Sequence, residues 1–158
     1  MDTNDFLGRA LGDDGFYCVF ASHATENKSV QNFYTSKDAL IAAAEQLDKD
    51  GFDTYFALAT FQTDNSRKAD NAHQFKSFFL DLDCGPGKEY ADQSAALSAL
   101  QKFCVSLDIP KPTLVSSGRG IHAYWFLSEP VSVQKWSQTA EQLKAACAKY
   151  NLLADPAV

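Results

Sequence analysis

The sequence has no apolar run approaching the roughly 20 residues that span a bilayer, which excludes a transmembrane helix and any membrane partner that depends on one. Its opening stretch, MDTNDFLGRALGDDGF, is acidic and polar, without the basic and apolar segments of a secretory signal. The four cysteines, Cys18, Cys84, Cys104 and Cys147, are widely spaced and form no C-x-x-C pair. That spacing argues against a zinc finger and offers no disulfide framework. Reduced thiols and a cytoplasmic setting are expected, with Cys104 and Cys147 filling core positions on helices. No H-x-H or H-E-x-x-H pattern occurs, which disfavours a histidine-based metal nuclease or protease. No G-x-S-x-G elbow marks Ser116 or Ser117 as a hydrolase nucleophile. Internal repeats and low-complexity tracts are also missing. Basic residues are in the minority, 14 Lys and Arg against 20 Asp and Glu, for a net charge of −6. Bulk electrostatic coating of nucleic acid is therefore disfavoured, although a local basic groove beside an acidic metal site would be hidden in that total.

What is present is ordinary globular composition, 46% hydrophobic and 22% charged, in a length that fits one domain or at most two small intimate halves. Phe16 to Ser22 reads as a first strand. A helix starts near Lys37, capped by Thr35 or Ser36. Its stripe is Leu40, Ala43, Ala44 and Leu47, and Gly51 stops it. Strands follow over Thr54 to Phe61 and Ser77 to Asp83, separated by a polar loop from Gln62 to Gln74. That loop carries the one adjacent basic pair, Arg67 and Lys68. Asp92 to Leu107 is a helix with Leu97, Leu100, Phe103, Cys104 and Leu107 on one face. Thr113 to Ser117 and Ile121 to Leu127 form a hairpin around Gly-Arg-Gly. A last helix from about Val133 to Asn151 buries Trp136, Ala140, Leu143, Cys147 and Tyr150. This order predicts an α/β or α+β sandwich with a mixed sheet.

Two stretches carry chemistry. In FFLDLD, strand alternation puts Asp81 and Asp83 on one face and Leu82 on the other. The two acids lie roughly 7 Å apart along the strand, and their side chains can converge on a shared cation. Hard oxygen ligands suit Mg²⁺ or Mn²⁺. The bland alternative is a solvated strand end before a turn. In SSGRGIHAYW, glycines let backbone N–H groups approach an anion, and Arg119 can grip phosphate oxygens through its fork of donors. His122 and Tyr124 share one face of the returning strand. Here the bland alternative is a Gly-rich hairpin with a surface histidine. Asp155, near the chain end before Pro156, and His23 and His73, in polar surroundings, read from pattern alone as solvated residues.

Taken in order, FFLDLD, GIH within SSGRGIHAYW, and LLAD resemble the three motifs of the archaeo-eukaryotic primase superfamily, in particular the primase-polymerases of phages, plasmids and mobile elements. The resemblance covers most of the chain from about Thr54 onward. It implies metal-binding catalytic carboxylates at Asp81, Asp83 and Asp155. It also implies that His122 contacts the phosphates of an incoming nucleotide, with Ser116, Ser117 and Arg119 helping to hold the triphosphate. The implied fold is an RRM-like α/β half over about 75–158 joined to a smaller N-terminal α/β half over about 1–74, one domain in all. It is cut short at the C-terminus, since the family pattern continues past the third motif into a further strand. The implied activity is template-directed nucleotidyl transfer with Mg²⁺ or Mn²⁺, NTPs or dNTPs and a single-stranded DNA template. A helicase or accessory priming domain is the implied protein partner. Two alternatives stay open: a non-catalytic RRM-like module that stacks single-stranded nucleic acid on Tyr124 and Trp125, and a metal-dependent nuclease using the same acids.

Overall fold

The computed structural model describes residues 1–155. Its elements are α1 (Thr3–Ala10), β1 (Tyr17–His23), β2 (Ser29–Tyr34), α2 (Lys37–Lys49), β3 (Phe52–Phe56) and β4 (Ala59–Phe61). A 3-10 turn (Ala69–Asn71) leads into β5 (Ala72–Asp83), and α3 (Gln93–Leu107), β6 (Thr113–Ser116), β7 (Gly120–Ser132) and α4 (Val133–Lys149) follow. The chain divides into two compact units. The first comprises Met1–Lys76 and Leu127–Val133, the second Ser77–Phe126 and the residues from Gln134 onward.

Local chemistry sets the helix ends. Asp2 accepts from the Asp5 amide at 2.8 Å to start α1, Ser36 from Ala39 at 3.2 Å to start α2, and Asp92 from Ala95 at 2.8 Å to start α3. Each satisfies an amide that the first turn leaves without a partner. Asp108, at φ +53°, ends α3 in the left-handed conformation common at helix C-termini.

The α+β class expected from the sequence holds, with sheet orders β2-β1-β3 and β4-β5-β7-β6. The strand pairings are antiparallel, where the alternation of helices and strands had suggested a mixed sheet. Hairpins join β1 to β2 and β6 to β7, so those neighbours must run in opposite directions. Other differences have local causes. α1 buries only Leu7 and Ala10, and β2, SVQNFY, has no apolar alternation, so neither stands out in the sequence. The single strand expected over Thr54 to Phe61 is two strands. β3 joins β1, while β4 pairs with β5 through Ala59–Phe75, Thr60–Gln74 and Phe61–Ala72. That pairing takes Ala72, His73 and Gln74 out of the expected loop and into β5.

In the second unit, Leu80 and Leu82 of β5 are fully buried against Ala96, Leu100, Phe103 and Cys104 of α3, Cys147 of α4, and Ile121 and Ala123 of β7. Ala96 takes the buried position expected for Leu97, which is 39% exposed, and Tyr150 is exposed to the same extent. Trp136 donates its indole N–H to the Ser77 carbonyl at 2.8 Å and stacks on Phe78, with centroids 5.8 Å apart. Leu80, Leu82, Ile121 and Ala123 thus commit one sheet face to the helices. Strand alternation then leaves Phe79, Asp81, Asp83, His122 and Tyr124 on the other face.

All four cysteines are buried and free. Burial pushes the Cys18 and Cys147 thiols up to about 11 and raises Cys84 and Cys104 as well. Only the thiolate is reactive, so a raised pKa makes each thiol inert. Native protein at pH 8 should therefore react slowly with a thiol-disulfide exchange reagent and release four equivalents in denaturant. Rapid native-state labelling of Cys18 or Cys147 would contradict their placement in the core.

Candidate active site

The acids form a row across the sheet. Asp81 and Asp155 exchange both backbone hydrogen bonds, Asp81 N to Asp155 O at 2.9 Å and Asp155 N to Asp81 O at 2.8 Å. Residues paired in this way point their side chains to the same face. On the other flank of β5, His122 Nε2 lies 3.7 Å from Asp81 Oδ1. Val115 is the cross-strand partner of His122 and closes the row. Asp83 stands one step along on the same face, 3.2 Å from Lys88 Nζ, with both side chains half-exposed.

The electrostatics follow from this crowding. Burial raises the Asp81 carboxyl above its ordinary value. The His122 ring counters that effect, the Asp83 and Asp155 charges reinforce it, and Lys88 counters it again. Two like charges felt at the Asp81 carboxylate favour a bound cation, and Lys88 already supplies positive charge at the edge. The donors are hard oxygens of the kind Mg²⁺ and Mn²⁺ prefer, so their chemistry fits such an ion. Among the described residues no three His, Cys, Asp or Glu side chains are grouped closely enough to hold an ion as they stand.

Asp155 is anchored through the residues just before it. Leu152 is buried in the core of the second unit, and the Leu153 amide donates to the Tyr90 hydroxyl at 3.0 Å. Tyr90→Phe removes that acceptor, with an expected cost of about 1 kcal/mol and faster hydrogen exchange at the Leu153 amide. Unchanged protection there would mean that the tyrosine does not hold this segment.

The hairpin is built by two glycines for different reasons. Gly118 adopts φ +82°, which suits the first central position of a two-residue hairpin turn. Gly120 has no positive φ but no room either: a Cβ there would sit 2.3 Å from the Leu82 carbonyl oxygen. The second glycine therefore lets β7 approach β5 beside the acids. Gln93, at the start of α3, fastens the turn by donating to Ser116 Oγ at 2.9 Å and to the Gly120 carbonyl at 3.1 Å.

The residues singled out in the sequence fall into two groups. Asp81, Asp83, Asp155 and His122 share one face. Ser116 is the cross-strand partner of buried Ile121 and points with it toward α3, away from His122. Ser117 and Arg119 are exposed in the turn, where the Arg119 carbonyl accepts from the Cys84 amide at 2.9 Å. Trp125 is on the helix side, with its indole donating to the Pro110 carbonyl at 2.8 Å, and does not share a face with Tyr124. Beside the acids runs a series of rings of which the sequence singled out Tyr124 alone. Phe79 lies 5.1 Å from His122 and 4.9 Å from Tyr124, and Tyr124 stacks on Phe126 at 6.3 Å. Period-two spacing of Tyr124 and Phe126 was the available signal. Lys88 and Gln93 carried none, because their partners are set by tertiary structure.

The fold around this site is similar to that of an AEP primase-polymerase domain. The particular solved structure is the AEP domain of the primase-polymerase (PrimPol) of cyanophage S-2L, with a TM-score of 0.61 and 19% sequence identity. The similarity covers 85% of this chain and 65% of that one, so the chain spans about 65% of its neighbour's length. No family model matches the sequence. No curated protein matches it in sequence either.

Proposed function

We propose that residues 1–158 form one primase-polymerase catalytic domain, with an N-terminal half to about residue 74 and a motif-bearing half beyond. Its reaction is template-directed nucleotidyl transfer from NTPs or dNTPs on single-stranded DNA. The observation that carries this reading is the Asp155–Asp81–His122 row, with Asp83 beside it, on one sheet face of an AEP-like fold. Asp81, Asp83 and Asp155 would hold Mg²⁺ or Mn²⁺. A divalent cation held there offsets the charge of the triphosphate and of an attacking hydroxyl. His122 offers an imidazole donor next to the acids, where a phosphate oxygen can accept it. Ser117 and Arg119 extend from the turn as further phosphate donors, and Ser116 acts through its bond to Gln93 by fixing the turn. Phosphoryl transfer depends mainly on such positioning and charge neutralisation. A helicase or an accessory priming domain is the protein partner consistent with this role. The described residues include no helix long and apolar enough to cross a membrane.

The test is extension of a labelled primer on a single-stranded template with Mn²⁺ or Mg²⁺, supplying dNTPs and NTPs in turn. Stepwise lengthening that requires metal and a complementary nucleotide is expected. Metal-dependent shortening without nucleotide would favour a nuclease. The ring series Phe79, Tyr124 and Phe126 favours a second reading, a stacking module for single-stranded nucleic acid. Binding that ignores both metal and Asp81, with no extension, would select it.

A further inference from the structure

Alternation in β1 and β3 splits the three-stranded sheet of the first unit into two faces. Val19, Thr54 and Phe56 line an apolar space with Leu7 of α1 and Leu40 of α2, and Tyr55, between Thr54 and Phe56, borders it as well. Phe20 and Tyr55 have the opposite parity and so belong to the other face. Phe20 is the cross-strand partner of Tyr55 on one side and Gln31 on the other, which makes a transverse row of the three. The two rings lie 6.2 Å apart, and Tyr55 is 56% exposed.

Over this row sits Arg67, its guanidinium carbon 4.2 Å from the Phe20 centroid. Arg67 and Lys68 are both exposed, and among the described residues neither is in an ion pair, although Asp64 and Asp70 lie within three residues of Arg67. In a chain with a net charge of −6, an arginine that rests on a ring keeps its donors free. The loop that carries it is built for that position. Asn71 donates to the Thr63 carbonyl at 2.9 Å and the Ser66 carbonyl at 2.5 Å, and accepts from the Thr63 amide at 3.2 Å. The Gln62 amide donates to the Asn71 carbonyl at 2.9 Å. Asn71 thus ties together both ends of the loop that carries Arg67, which lowers the cost of ordering that loop on binding.

We propose that this face, Tyr55 and Phe20 with Arg67 and Lys68, is a binding site for single-stranded DNA. Stacking on an exposed ring, here Tyr55, and phosphate contacts from neighbouring cations are the two parts of sequence-tolerant single-strand recognition, while Phe20 holds Arg67 through their cation–π contact. Asp53 lies on the same face two residues before Tyr55, in the next row opposite Ser22. Its charge disfavours phosphate at that end of the face. The choice of DNA rests on the template-directed reading above. The site itself lies apart in sequence from the acids and uses none of them.

The test is fluorescence anisotropy of a labelled oligo-dT with the full chain, without metal or nucleotide, over a salt series. Tyr55→Ala is expected to weaken binding roughly five- to a hundredfold, the loss of one stacked base, and Tyr55→Phe to keep it. Arg67→Ala should flatten the logarithmic salt slope by about one phosphate contact. Lys149→Ala removes a cation from another cation–ring pair, the one with Tyr150, and should change nothing. Thermal melts establish that each variant is folded. No measurable binding by the wild type would overturn the proposal. So would Tyr55→Ala and Arg67→Ala variants that bind like the wild type, or tenfold tighter binding of the matched RNA. Primer extension by the wild type is measured separately. Its failure alongside ring-dependent DNA binding would sink the catalytic reading and leave this one standing.

Discussion

Asp81→Asn and Asp83→Asn will each abolish metal-dependent nucleotide incorporation, with a fall of roughly a thousandfold or more. Charge stabilisation by a bound metal is worth several kcal/mol in a transition state, and each 1.4 kcal/mol or so is a factor of ten. The same substitutions should leave the fold intact. Burial first, and then the charges of Asp83 and Asp155, raise the Asp81 carboxyl in the folded state. A raised acid binds its proton more tightly folded than unfolded. The native state is therefore penalised above the folded pKa, and the penalty is relieved as pH falls through it. Removing the charge with Asn should hold or raise the melting temperature at neutral pH while incorporation disappears. Full incorporation by either variant would mean that these carboxylates do not hold the metal. A lowered melting temperature would mean that Asp81 is structural.

The second large effect concerns Gly120. Its missing side chain is required by the Leu82 carbonyl, 2.3 Å from where a Cβ would be. The clash is with backbone, which cannot swing aside as a flexible side chain would. Gly120→Ala must push β7 away from β5 at the rows that hold His122 and Asp81. Overpacking of this kind costs about 1–3 kcal/mol or more, or a melting temperature lower by roughly 2–12 °C for a chain of this size. Gly118→Ala meets open space and bears only the strain of φ +82°, roughly 1–2 kcal/mol. Calorimetry on both variants should rank Gly120→Ala as the more damaging. The reverse order would show that turn geometry, not strand approach, is what the glycine pair serves.

Much of the frame was legible because it rests on local physics. Ser36 and Asp92 mark helix starts that any chain would use, and α2, α3 and α4 begin close to where the sequence puts them. Leu80 and Leu82 alternate with Asp81 and Asp83, and that period alone separates the buried face from the acidic one. β2 was not legible, since SVQNFY is a strand only because β1 lies beside it. The N-terminal end of β5 was hidden for a similar reason. Ala72, His73 and Gln74 look like loop, yet β4 supplies the hydrogen bonds that make them strand. Ser116 shows how register decides a role. One residue of alternation turns its hydroxyl to Gln93 and gives the opposite face to His122.

By itself, then, the sequence determined that Asp81 and Asp83 share a face, that His122 and Tyr124 share one, and that a tight turn precedes them. These are consequences of strand pleat and turn chemistry, which act over a few residues. Only tertiary structure decided that the two faces are the same face. It also brought Asp155 opposite Asp81 through two backbone hydrogen bonds and set Lys88 against Asp83. Those contacts span between 5 and 74 residues of chain, and no local preference encodes them. The longest depends on burying Leu152 and on the Tyr90 hydroxyl, which hold the last described residue where its carboxylate joins the row.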